Sequence, residues 1–281
     1  VRIGDQLAIV NTLEPPTNGL ILWWDADDAS TLTIRTDSGK DYVTRWDSKV
    51  GTQYVEQVVA ADQPQWTNGF GFNGRYGIWN PDNDGSERLQ TPGPIPELNS
   101  TNLNACIFAW CFDTNDNASY IMDNTWLTNA PDTTYTDNTF SIYMHRVSDR
   151  GRWRFKSSGV PDFSKFENVD FYRPTNNIPF GCHIGWETNH AELAVSYKGI
   201  TCFESTGNVS SWQRKNHHRL TLLNRDPIHS NRPFAGGILF EILIYNRGFT
   251  NEDKQRLWRY GALKWQLRQW KPNRKDPISN L

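Results

Sequence analysis

The sequence predicts an all-β sandwich or jelly roll with one helix near its C-terminal end. Three observations predict it. Short segments rich in β-branched and aromatic residues recur along the 281 residues, with Gly, Pro, Asn and Asp turn signals between them. Only one stretch, about 250–269, has convincing helical periodicity, whereas a parallel βαβ architecture would need a helix after most strands. The third is composition: Trp 13, Tyr 10 and Phe 14, with 37% hydrophobic and 21% charged residues, describe a globular chain whose core and part of whose surface are aromatic.

In chain order, an arm ends at the proline break Pro15-Pro16-Thr17-Asn18 and is too short to fold alone. Gly19 to Trp24 reads as the first core strand and Asp25 to Ser30 as the turn after it. Tyr54 to Ala60 and Tyr76 to Trp79 are the next strand candidates, and Asn80 to Gly85 is a turn. Pro92, Pro94 and Pro96 make Gln90 to Asn104 a loop crossing between sheets. Strand candidates then follow at Ala105 to Phe112, Ser119 to Met122, Thr139 to Arg146, Arg152 to Lys156, Cys182 to Glu187, Glu192 to Tyr197, Thr201 to Glu204 and Arg219 to Leu223.

The closing segment carries the clearest pattern. Ile238 to Tyr245 is β-branched and aromatic with one charge, Glu241, and reads as a strand buried on at least one face and nearly on both. Asn246-Arg247-Gly248 is a turn. Thr250 then suits an N-cap, Glu252 and Asp253 place negative charge in the first turn, and Asp253 occupies the capping-box position. Leu257, Trp258, Gly261, Ala262 and Trp265 share one helical face, with Lys254, Arg256, Arg259 and Lys264 mostly elsewhere. Gly261 costs helix propensity, which predicts a close approach of the helix backbone to a strand. This segment reads as packing, not chemistry.

Residues 19–270 are expected to form one jelly-roll domain, flanked by an N-terminal arm (1–18) and a C-terminal tail (271–281) that contact neighbouring subunits. A net charge of -2 leaves no nucleic-acid footprint, and the basic residues Lys264, Arg268, Lys271, Arg274 and Lys275 read as a solvated face or a contact with an acidic protein. No apolar run approaches a membrane span, and the opening VRIGDQLAIV lacks a secretory signal pattern. Cys106 and Cys111, an odd spacing apart on one strand, point to opposite faces. Cys182 and Cys202 could meet across strands, but with no CxxC or His–Cys spacing, buried reduced thiols are expected.

Four stretches carry a likeness to a known family. They are Gly19-Leu-Ile-Leu-Trp-Trp-Asp25-Ala-Asp-Asp-Ala-Ser-Thr31; Arg45-Trp46-Asp47-Ser48-Lys49 with Gln63-Pro64; Asn73-Gly74-Arg75 leading to Asp84-Gly85-Ser86-Glu87-Arg88-Leu89; and the closing strand, turn and helix. In these the chain resembles the concanavalin A-like, laminin G-like jelly rolls of phage virions and bacterial surface proteins. The resemblance implies the fold; function lives in sites grafted on it. Retaining glucanases of this fold carry a Glu-x-Asp-x-(x)-Glu strand, which is absent here, so the resemblance implies no glycosidase activity.

Two acidic loops supply oxygens of the kind Ca2+ takes: Asp25, Asp27 and Asp28 in the first, Asp82, Asn83, Asp84 and Glu87 in the second. Asx-turns ending strands account for both, and the EF-hand ligand order is absent. The six histidines show no HExxH spacing, and Gly69-Phe-Gly71-Phe-Asn-Gly74 precedes no helix, so protease and dinucleotide readings fall. Planar rings among amides and carboxylates suit a glycan, which makes Tyr120, Trp126 and Tyr135 candidates, followed by Trp186, Trp212 and Arg214. Pinning a loop to the sandwich or to another subunit accounts for the same rings.

The expected function is therefore a non-enzymatic structural component of a phage virion, a capsid decoration or tail-associated protein assembled in the host cytoplasm. Its partners would be other virion proteins or copies of itself, with no cofactor. The alternative is a carbohydrate-binding adhesin or lectin module recognising cell-surface glycans, and a glycoside hydrolase or lyase is the third reading.

Overall fold

The computed structural model describes residues 14–68, 74–81, 86–99, 102–111, 119–124, 140–147, 150–155, 169–172, 180–187, 190–197, 200–207, 219–224 and 237–265. These residues hold strands β1 (Leu20–Asp25), β2 (Leu32–Asp37), β3 (Lys40–Asp47), β4 (Tyr54–Glu56), β5 (Gln65–Thr67), β6 (Gly77–Trp79), β7 (Leu89–Pro94), β8 (Leu103–Cys111) and β9 (Ser119–Asn124). They continue with β10 (Phe140–Val147), β11 (Arg150–Phe155), β12 (Val169–Tyr172), β13 (Phe180–Glu187), β14 (His190–Tyr197), β15 (Ile200–Gly207), β16 (Arg219–Leu222) and β17 (Gly237–Tyr245), followed by helix α1 (Asn251–Lys264). The all-β architecture with one C-terminal helix is as the sequence predicts.

Every pairing is antiparallel, and two layers emerge from their order. One runs β1-β17-β8-β13-β14-β15. The other runs β2-β3-β4-β7-β16-β9-β10-β11-β12. Short strands β5 and β6 pair with β3 and β17 in turn, so the hydrogen-bonded sheet curls from one layer into the other. The main core lies between the layers: Leu22, Trp24, Ile107 and Ile244 from one meet Val43, Trp46, Met122 and Leu222 from the other. On β8 the alternation is strict. Leu103, Ala105, Ile107 and Ala109 face this core, whereas Cys106 and Phe108 face α1 in a second cluster. All nine residues of β17 are buried, as a strand covered on both faces must be.

Helix α1 starts where its local chemistry directs. Thr250 Oγ1 accepts from Asp253 N at 3.2 Å, and Asp253 Oδ2 accepts from Thr250 N at 2.9 Å, completing the capping box. Arg247 grips the Asp253 carboxylate with two bonds of 2.7 Å and donates to Asn18 O at 2.8 Å, tying the helix start to the entry of β1. That ion pair, with the cap, holds the Asp253 carboxyl well below the usual carboxylate range. The predicted close approach at Gly261 is also present: a Cβ there would lie 2.1 Å from Phe108 Cε1.

Five strands, β2, β3, β5, β7 and β12, escape the sequence pattern, for separate reasons. The β2–β3 hairpin has exposed Thr, Arg and Asp positions that blur its alternation, but Ser38 and Gly39 both have positive φ (51° and 76°), the geometry of a tight hairpin turn. β7 occupies part of the expected crossing loop. Its prolines survive in a strand because β4 pairs with it only at Gln90, while on the β16 side Pro92 falls at the register shift and Pro94 lies opposite Arg219 at the strand end; both are exposed. β5 and β6 are three residues each, and β6 had been expected one residue longer, whereas β5 is too short for periodicity to register. β12, four residues long, falls between the expected strands ending at Lys156 and starting at Cys182. Conversely, the strand expected to run to Ala60 stops at Glu56 and a 3-10 turn, Ala60–Asp62, follows.

The registers also settle one thiol pair. Cys182 pairs with Val195, and Val195 pairs with Cys202, so the two cysteines sit two strands apart, about 9–10 Å, beyond disulfide reach. Cys106 is a buried free thiol.

A buried histidine adds a pH dependence. Asn104 Nδ2 donates to Arg247 O at 2.6 Å, so its Oδ1 accepts from His183 Nε2 at 2.7 Å, and the imidazole is neutral with its proton on Nε2. Burial, reinforced by the charge of Lys254, pushes its pKa down from 6.5 to about 3. Below pH 6.5 the unfolded chain takes up a proton that the folded chain refuses. The stability is therefore complete above pH 6.5 and declines as pH falls toward 3, by up to about 1.4 kcal/mol per pH unit. Urea denaturation of His183→Gln between pH 6.5 and 4 is expected to lose that share of the slope; an unchanged slope would refute the assignment.

Candidate functional site

The site forms where β1 ends. Asp25 closes the strand, and its Oδ1 accepts from Asp27 N at 3.3 Å, an Asx-turn that starts the loop. Asp28 caps the following 3-10 turn, accepting from Ser30 N at 3.2 Å and Ser30 Oγ at 2.6 Å. Asp27 points across to β6, accepting from Tyr76 N at 2.9 Å and pairing with Arg75. Each acid of this loop is engaged by the chain itself. Among the described residues no group of three or more His, Cys, Asp or Glu is arranged around a common metal position. Asp25, Asp27 and Asp28 are thus bonded within the chain to turn amides, lysines and an arginine.

Those partners build a chain of alternating charge from surface to interior. Asp28 Oδ2 lies 2.9 Å from Lys49 Nζ, which lies 3.3 Å from Asp25 Oδ2. Asp25 Oδ2 is in turn 2.7 Å from Lys264 Nζ, and Lys264 is 3.0 Å from Glu241 Oε1. Glu241 is fully buried and accepts four bonds: from Trp23 Nε1 at 2.7 Å, Tyr260 Oη at 2.5 Å, Lys264 Nζ, and Trp265 Nε1 at 2.7 Å. A carboxylate so deep in apolar surroundings persists because donors reach both of its oxygens, three at Oε1 and one at Oε2.

A bulge aims Glu241. On β17, Leu239 pairs with Ala109 and Glu241 with Phe108, so two residues of β17 advance against one of β8. Phe240 is the extra residue. Without it the alternation would turn Glu241 into the apolar core between the sheets; with it, Phe240 and Glu241 both face α1. Sequence reasoning passed over Glu241, although a lone acid in an otherwise apolar strand was its signal. It also placed Lys264 on the solvated face, where the structure finds it 7% exposed.

Desolvation raises the Glu241 pKa, against the pull of Lys264 and its hydrogen bonds. At the other end of the chain, the Ser30 hydroxyl and Lys49 lower that of Asp28. Above Asp25 opens a cavity of about 480 Å³, lined by Trp23, Asp25, Asp27, Asp28, Lys49 and Arg75, with Lys264 at its floor. Asp25, Asp27 and Asp28 present carboxylates to this cavity beside Lys49 and Arg75, while Glu241 lies sealed beneath Lys264 and outside the cavity wall.

The glycan candidates fare differently. Tyr120 on β9 is 6% exposed, which leaves no ring face for a sugar. Trp186 sits on β13 opposite Leu103 and Ala191. Trp126, Tyr135, Trp212 and Arg214 lie outside the described residues, as do Asp82 and Asp84 of the second acidic loop. Glu87 of that loop is buried, and its backbone oxygen accepts from Asn80 and Asn224. Most of the arm (1–13) and all of the tail also lie outside.

No protein-family model matches the chain, and no curated protein matches it by sequence. Solved structures do share its fold. A Trypanosoma rangeli sialidase in complex with sialic acid superposes with a TM-score of 0.54 at 9% identity, over 88% of this chain and 33% of the sialidase. An arabinofuranosidase complexed with arabinofuranosyl-alpha-1,2-xylobiose gives 0.54 at 11% identity, over 88% of this chain and 59% of the enzyme. A GH54 α-L-arabinofuranosidase gives 0.52 at 10% identity, over 86% and 59%. The chain thus spans a third to three-fifths of these proteins, and at such identity the likeness shows the fold alone. It still corrects two expectations. The non-enzymatic phage component followed from the family resemblance, the terminal arms and the missing catalytic motifs, whereas the structures named above are a sialidase and arabinofuranosidases. The exclusion of enzymatic activity rested on the missing strand, HExxH and dinucleotide motifs, and it is withdrawn on the same finding.

Proposed function

We propose that the chain is the β-sandwich of a carbohydrate-processing enzyme and that the cavity above Asp25 receives the saccharide. The observation that carries this is the alternating chain from Asp28 to Glu241, ending beneath a cavity whose wall is carboxylate, ammonium and indole. In this reading Asp27 and Asp28 accept sugar hydroxyls, and Lys49 and Arg75 donate to ring or carboxylate oxygens. Asp28, held by Ser30 and Lys49, presents its carboxylate at the cavity wall, where it would act on the bound saccharide. Lys264 and Asp25 hold the floor of the cavity in register with it. The groups are already hydrogen-bonded in place, so binding reorganises little.

The test is glycosidic cleavage, using aryl α-L-arabinofuranosides, aryl sialosides and arabinofuranosyl-xylobiose. Asp28→Asn is expected to lower turnover at least about 100-fold with an unchanged unfolding midpoint. Failure of the unmodified protein to cleave or bind any member of the panel would overturn the proposal.

A further inference from the structure

A second cavity, of about 440 Å³, is lined from β2, β3, β5 and β6 and shares no lining residue with the first. Its floor is a cross-strand row. Tyr42 of β3 pairs with Gln65 of β5, and Gln65 pairs with Trp79 of β6, which sets one amide between two aromatic residues on one sheet face. All three line the cavity.

Gln65 is 9% exposed and lines the cavity, and its amide makes no side-chain hydrogen bond among the described residues, so its donor and acceptor are open to whatever enters. Its neighbours are committed. Gln63 Oε1 accepts from Arg35 Nε at 2.8 Å, and its Nε2 donates to Gln57 O at 2.9 Å. Arg35 pairs with Asp37 at 2.9 Å and lies over the Tyr42 ring at 4.7 Å, so that ring is braced from one side. The site is held rigid around one uncommitted amide.

We propose that this cavity is a second saccharide-binding site, in which a sugar ring packs on the Tyr42 and Trp79 rings while vicinal hydroxyls bond the Gln65 amide. A primary amide offers both a donor and an acceptor to neighbouring hydroxyls, and flat rings take the C–H face of a pyranose or furanose. The inference rests on the carbohydrate reading above and adds to it a site remote from the chain of alternating charge, one that would hold a longer glycan while the first cavity works on it.

Isothermal titration with xylo-oligosaccharides, arabino-oligosaccharides and sialyllactose tests it on the full chain. Gln65→Leu, close in volume, and Tyr42→Leu are each expected to weaken binding of the responsive probe at least tenfold, whereas Asp27→Asn leaves a site intact that Gln65→Leu removes. Circular dichroism and the unfolding midpoint show whether each variant folds, and two variants guard against the loss of one. If Asp27→Asn abolishes binding while both cavity variants retain it, the second site is refuted and the first reading stands. If no probe binds and none is cleaved, both fail.

Discussion

Glu241→Ala is expected to destabilise the protein by about 3–5 kcal/mol, read as a lower denaturant midpoint at constant slope. The loss has named parts. Trp23 Nε1, Trp265 Nε1 and Tyr260 Oη each forfeit their acceptor in a dry interior, at about 1 kcal/mol or more apiece. Lys264 keeps Asp25 at 2.7 Å but loses the second carboxylate that balances it. Glu241→Gln retains one carbonyl acceptor and most of the shape, so it is expected to cost about half as much. Equal costs for the two variants would mean that packing, rather than the acceptor, holds this corner. Because Lys264 also floors the cavity above Asp25, the alanine variant should lose saccharide processing along with stability.

Gly261→Ala should cost about 2 kcal/mol despite the better helix propensity of alanine. Alanine favours the helix by about 1 kcal/mol. Against that, the new Cβ would lie 2.1 Å from Cε1 and 2.5 Å from Cζ of Phe108, a ring that is fully buried beside Tyr260 and cannot retreat. Overpacking of this kind costs about 3 kcal/mol when no side chain can give way. Phe108→Leu makes room, so in that background the same substitution should become neutral or stabilising. Additivity between the two changes in a double-mutant cycle would refute the contact as the cause.

Legibility followed the range of the interactions concerned. The capping box at Thr250 and Asp253, the Asx-turn at Asp25 and the hairpin glycine at position 39 are made by residues a few positions apart, and their chemistry is written locally. The first two were read from sequence, whereas the hairpin was missed because its exposed strands hide the period. The close approach at Gly261 was legible from an odd residue, though not its partner Phe108, 153 positions away. Of the candidate site, the acids Asp25, Asp27 and Asp28 were legible and their role was not. Lys49, Lys264 and Glu241 turn a potential cation loop into a neutralised chain, and they come from three separate parts of the sequence.

The sequence by itself determined the all-β class, the helix with its cap and most of the strands with strong apolar patterns, because alternation, capping and turn geometry depend on near neighbours. Only the tertiary structure decided where Glu241 points. That direction depends on one extra residue in the pairing of β17 with β8, a register set by partners more than a hundred positions apart. A shift of one residue there would bury the acid in the core between the sheets, where no donor waits, instead of against two indoles, a phenol and a lysine.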